Sequence, residues 1–224
     1  MTPAIENLIA NREVNFPEGL LEARQTLQSA MDSPETSAPA SLALVEVLFW
    51  LGDYSETKED KNKYFAEGVA VGKIAVEKNP ESAAAHMWFA SNMGQHGLIQ
   101  GIMKSASYMG PIEKHGKKAC DLDEGFFYSA PLRLMGRFYH QAPGFPIGPG
   151  NNTKSQKMLE KAVEKNPEFS YNKLYLADLL LSRSKKQDAK ALLEAVIAAP
   201  ALEGMAGMEQ RVKSEAQELL KKVS

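Results

Sequence analysis

This chain of 224 residues has one cysteine, four histidines and no surplus of cationic side chains, with 26 Lys and Arg against 28 Asp and Glu. The lone Cys120 excludes an internal disulfide framework and a cysteine-only metal cage. In the run Ala119-Cys120-Asp121-Leu122 it reads as a small, half-buried core thiol. A formal net charge of −2 leaves little to neutralise phosphates, which argues against a nucleic-acid partner. Lys114, Lys117 and Lys118 read instead as a solvated helix face. Long apolar runs are also missing. The longest, Leu42 to Leu51, is broken by Glu46 and is too short to span a bilayer. Met1 to Asn15 carries Glu6, Arg12 and Glu13 without an apolar core, so it does not read as a signal peptide. That fits a cytoplasmic protein, or a periplasmic one whose leader has been removed.

What is present is repetition. Ala75-Val76-Glu77-Lys78-Asn79-Pro80-Glu81 recurs unchanged as Ala162-Val163-Glu164-Lys165-Asn166-Pro167-Glu168. Degenerate copies start at Ala30, Ala119 and Ala195, giving successive steps of 45, 44, 43 and 33 residues. The phrase has the chemistry of a helix ending: alanine admits a close neighbour, charged residues face water, and Asn then Pro stop the helix. Upstream, apolar residues follow helical spacing, as in Tyr64, Phe65, Gly68, Gly72 and Ala75, or Ala189, Leu192, Leu193 and Val196. Downstream another helix begins, with Ala85, Phe89, Ala90 and Met93 on one face in one copy and Leu174, Ala177 and Leu180 in another. No stretch alternates with period two over strand length. These signals predict an all-α array of helix pairs, each burying its apolar face on the next.

The array reads as a single domain over 1–224, with a repeat core at about 40–200 and an N-terminal helix and polar turn at 1–39. Residues 201–224 form a capping helix whose stripe is Met205, Met208, Val212, Ala216, Leu219 and Leu220, with Glu209, Lys213, Glu218 and Lys221 turned away. Two insertions lengthen the units. Gly94 to Gly101 holds three glycines and reads as flexible. Ala142 to Asn152 alternates proline with glycine and reads either as a rigid connector or as a functional lid.

Catalytic signatures are absent: there is no phosphate-binding glycine loop after a strand, no nucleophile elbow and no zinc-protease helix. Cys120 has no motif-bound histidine. The segment His86 to His115 concentrates histidine and methionine, soft and borderline ligands suited to copper. Its histidines are spaced too widely to share one helix face, so no metal or other cofactor is expected. Arg133, Arg137 and His140, at spacings of four and three, do share one. Arginine suits a carboxylate held by two hydrogen bonds, although pairing with Asp123 or Glu124 would occupy both arginines internally.

Leu176-Ala177 with Leu180, Phe89-Ala90 with Met93, and Met135-Gly136 with Tyr139 resemble the tetratricopeptide repeat. Trp50, Gly68 with Gly72, His86 with Trp88, and Pro131-Leu132-Arg133 through Ala142-Pro143-Gly144 add a narrower resemblance. These residues look like the T-component proteins of TRAP-type solute transporters and, more distantly, the regulator of microtubule dynamics proteins. The chain departs from the T-component pattern in having no lipobox cysteine and no leader. The repeat resemblance implies a tetratricopeptide-like solenoid with a concave groove lined by the first helix of each unit. Arg133, Arg137 and His140 fall at groove positions, as do Met87 and Ser91 on one side and Tyr171, Leu174 and Asp178 on the other. It thus implies a non-enzymatic scaffold that binds an acidic protein or peptide, with self-association through apolar end helices. The T-component resemblance implies a periplasmic transporter accessory with an internal ligand channel, docking a solute-binding protein.

Overall fold

Asparagine at the end of the repeated phrase closes a helix twice over. The Asn79 backbone N–H donates to the Ala75 carbonyl at 2.9 Å, and its side-chain amide donates to the same carbonyl at 3.0 Å. The amide also reaches the Ala38 carbonyl at 3.1 Å, tying the helix end to a neighbouring helix. Asn166 repeats the cap, its N–H donating to Ala162, while its side-chain oxygen accepts from the Ser129 hydroxyl at 2.7 Å. Thr57, Ser82 and Asn151 close the opposite ends, each accepting from the backbone N–H three residues on.

The structure, a computed structural model, describes residues 2–223. Its helices are α1 (Pro3–Ala10), α2 (Glu18–Ala30), α3 (Pro34–Tyr54), α4 (Lys58–Lys78), α5 (Ala83–Gln100), α6 (Ile102–Asp123), α7 (Phe126–Gln141), α8 (Asn152–Lys165), α9 (Ser170–Ser182), α10 (Lys186–Ala198) and α11 (Ala206–Leu220). Among the described residues there is no strand, only an isolated bridge between Gly144 and Gly150. The fold is all-α, built from helices that pack pairwise in chain order, as the periodicity implies.

The helices form two compact units, Met1–Asp123 and Glu124–Ser224. In the first, Leu44, Leu48 and Leu51 of α3 and Phe65 of α4 are buried with Trp88 and Met93 of α5. The α4–α5 contact is close because Gly68 and Gly72 of α4 face Asn92 and Phe89 of α5. In the second, Leu159, Leu174, Leu179, Leu193 and Val212 belong to one apolar cluster. The capping stripe of α11 is buried at Met205, Met208, Val212 and Ala216.

Three expectations change, and one helix start is irregular. Helix α5 runs straight through Gly94 and Gly97, so the supposed flexible insertion is helical up to Gly101, where φ is +97°. Gly97 is used for close packing: a Cβ there would lie 3.1 Å from the Ser105 backbone of α6. Helix α3 begins at Pro34 and includes Pro39, shortening the polar turn that was expected to extend to that proline. Glu209, expected to face water, is buried and accepts from the Ser170 hydroxyl at 2.7 Å. Finally, Phe127, Tyr128 and Ser129 all adopt left-handed backbone, with φ of 43°, 55° and 61°, so the right-handed part of α7 starts after them. Pro131 thereby falls in its first turn, as its missing N–H favours.

Candidate protein-binding face

Three consecutive left-handed residues without glycine cost roughly 1–2 kcal/mol each, so the surroundings must hold them. They do so largely through one carbonyl. The Tyr128 oxygen accepts from Arg133 Nη1 at 2.9 Å and from the Asn172 amide at 3.2 Å. Arg133 Nη1 also donates to the Asn172 side-chain oxygen at 3.0 Å. The Asn172 amide reaches the Ala162 and Asn166 carbonyls as well, binding α8 and α9 to the turn. The Arg133 guanidinium lies 4.6 Å over the Phe169 ring, and Phe169 stacks on Tyr128 with ring centroids 4.8 Å apart.

Burial pulls the Arg133 pKa down to about 10, so it remains cationic at neutral pH. Among the described residues, no carboxylate pairs with it. The alternative of pairing with Asp123 or Glu124 is not realised for either arginine: Glu124 is taken by Lys161 and Lys165. Arg137, one turn on, pairs with Asp178 of α9 and sits 4.7 Å over the Tyr175 ring. With its amide oxygen turned toward the guanidinium, Gln141 accepts from Arg137 Nε at 3.0 Å. His140 Nδ1 is buried without a hydrogen bond, 3.8 Å from Asp178 Oδ2. Burial lowers the His140 pKa, Asp178 opposes that and Arg137 reinforces it.

The sequence-predicted residues therefore divide. Arg133, Arg137, His140, Tyr171 and Asp178 lie half-buried on α7 and α9 of the second unit. Leu174 is in the packed interior with them, and Asp178 is the partner of Arg137 rather than an open acid. Met87 and Ser91 belong to α5 of the first unit. Met87 is only 2% exposed, with Ser91 donating to its sulfur at 3.3 Å, so Met87 is core where a surface position was expected. A cavity of about 490 Å³ is lined by Arg137, Leu174, Tyr175, Asp178 and Leu219 among others, and one of about 300 Å³ includes His140, Asp178, Ser182 and Lys222. Sequence reasoning passed over Asn172, Phe169 and Tyr175. Only their places on the face of α9 and at its N-cap could have suggested them.

In the first unit, His86 and His115 meet across α5 and α6, their Nδ1 atoms 2.7 Å apart and their rings stacked. His86 Nε2 is 2.9 Å from the Pro80 carbonyl, so it donates there and leaves its Nδ1 to accept from His115. His96 is separate, 3.0 Å from the Tyr108 hydroxyl. Among the described residues, no three or more His, Cys, Asp or Glu are grouped to hold a metal ion. Among the described residues, no helix is long and apolar enough to cross a membrane.

Residues 8–143 match the family model described as regulator of microtubule dynamics protein 1-3. The chain is 32% identical over 93 residues to regulator of microtubule dynamics protein 1 of Bos taurus, covering 41% of the chain and 29% of that protein. It is 30% identical over 95 residues to protein 3 of Mus musculus, covering 41% of the chain and 19% of that protein. Against protein 1 of Mus musculus the identity is 26% over 235 aligned residues, covering 98% of the chain and 75% of the relative. The first two relatives are thus matched over less than a third of their length. These matches overturn the assignment to the tetratricopeptide and TRAP T-component families, and with it the periplasmic place and the solute-binding partner. The physical reason lies in the signal used. Small residues at helix crossings and an Asn-Pro stop describe how helix pairs end and pack, which many helical families share.

Proposed function

Because this chain belongs to the regulator of microtubule dynamics family, we propose that it acts without catalysis, as a protein-binding module. Its face formed by α7 and α9 engages an acidic segment of a partner at or on the microtubule, which places the chain in the cytoplasm. One observation carries this reading: Arg133 is cationic, rests on an aromatic platform and is matched by carbonyl and amide oxygens instead of a carboxylate. A carboxylate arriving at its outer edge would supply the missing counter-charge, and Tyr171 and Tyr175 lie close enough to act on the same guanidinium. Arg137 would join by exchanging Asp178 for the ligand.

The test is co-sedimentation with purified microtubules and, separately, capture on a polyglutamate peptide. Arg133→Gln with Arg137→Gln keeps an N–H donor for the Tyr128 carbonyl while removing both charges. Capture should be lost while the helical circular-dichroism signal is unchanged. Undiminished capture by this variant would refute the assignment of the face.

A further inference from the structure

The segment joining α7 to α8 presents two large apolar side chains to solvent: Phe145 is 95% exposed and Ile147 is 77% exposed. Isolated exposed apolar residues are ordinary on protein surfaces. This pair differs because of the backbone that carries it. The N–H of Ala142 donates to Phe138, those of Ile147 and Gly148 to Gly144, that of Gly150 to Pro143 and that of Asn151 to Tyr139. Pro143, Pro146 and Pro149 have no N–H to satisfy. Across 142–151 only the amides of Gly144 and Phe145 lack an acceptor among the described residues. From Gln141 to Thr153 there is also no charged side chain.

A surface loop in water gains little from satisfying its own donors, since water serves them. In an apolar medium each open donor costs several kcal/mol. Apart from the open amides of Gly144 and Phe145, the backbone of this loop therefore suits desolvation. The first charges after it are Lys154 and Lys157, both exposed and without a carboxylate partner among the described residues. We propose that the loop dips Phe145 and Ile147 into the interfacial region of a membrane, with Lys154 and Lys157 against anionic headgroups. A bilayer accepts an exposed apolar tip without shape matching, and the exposed lysines beside this one suit its negative surface. Two inserted side chains give shallow, reversible attachment, which agrees with the absence of any spanning helix among the described residues.

The experiment uses the full chain with vesicles of phosphatidylcholine, alone or with about 30% phosphatidylserine to supply the negative surface. In Phe145→Trp the new indole should blue-shift on adding the anionic vesicles, measured as a difference from the wild-type signal of the buried Trp50 and Trp88. Phe145→Ser with Ile147→Ser should weaken vesicle co-sedimentation about tenfold or more. Lys154→Gln with Lys157→Gln should remove the preference for phosphatidylserine. All three variants alter exposed positions, and unchanged circular dichroism verifies their folding. An indole emission unmoved by either vesicle overturns the proposal. So does a serine double variant that loses microtubule or peptide capture while vesicles bind neither it nor the wild type, because the loop is then a protein contact.

Discussion

Gly68→Ala separates helix propensity from close packing in one substitution. In an exposed helix, replacing glycine with alanine is favourable by roughly 0.5–1 kcal/mol, because glycine loses more backbone freedom on folding. At position 68 the added methyl would lie 2.1 Å from the Asn92 side-chain oxygen and 2.4 Å from its Cγ. Asn92 cannot swing aside freely. It is buried, and its amide donates to the Val45 carbonyl at 3.1 Å and the Trp88 carbonyl at 2.9 Å. Either α4 and α5 separate, at roughly 1–3 kcal/mol for overpacking, or those bonds break, at a similar cost. The net expectation is a loss of roughly 1–2 kcal/mol after the propensity gain is credited. Gly94→Ala is the control, since a Cβ there meets nothing within 4 Å. Urea denaturation followed by circular dichroism should move the Gly68→Ala midpoint down and the control midpoint up. Adding Asn92→Ala to Gly68→Ala should cost less than Asn92→Ala alone, because the two changes share one contact. A Gly68→Ala protein at least as stable as wild type would refute the packing argument.

Two further outcomes follow from the hydrogen-bond networks. The His115 pKa is lowered to about 4 by burial first, then by His86 and Lys114. The unfolded chain takes up that proton near 6.5, so the stability tied to neutral His115 is complete above pH 6.5 and declines as pH falls toward 4. The urea midpoint should drop between pH 7 and 5, and by less in His115→Gln; an unchanged drop would remove His115 as the cause. Asn172→Ala should destabilise the protein by roughly 1–3 kcal/mol or more, since it strips donors from the Tyr128, Ala162 and Asn166 carbonyls. Hydrogen exchange at the Ser129 amide, which donates to Gly125 at 3.1 Å, should accelerate in the same variant.

The helix ends were legible because their chemistry is local: Asn79 and Asn166 cap with atoms they carry themselves. What the sequence hid depends on distant partners. Gly97 reads as part of a flexible break until α6 is present to pack its Ser105 backbone against that glycine. Glu209 reads as a solvated acid until Ser170, 39 residues earlier, meets it. His86 and His115 are 29 residues apart and touch only because α5 and α6 fold back on each other. On the candidate face, helical spacing correctly put Arg133, Arg137 and His140 together on α7. It could not show that Asp178 neutralises one of those arginines or that Met87 is core. The run Phe127-Tyr128-Ser129 carries no glycine or asparagine to announce a left-handed turn.

That turn has a kinetic consequence. Its backbone is locally disfavoured, and the groups that hold the Tyr128 carbonyl include Asn172, 44 residues further along the chain. The turn is therefore held in full only once α9 has docked and delivered that amide. Its native geometry belongs on the late side of the folding barrier, where contacts change the unfolding rate more than the folding rate. The start of the second unit in sequence is thus among its last parts to form and among the first to let go.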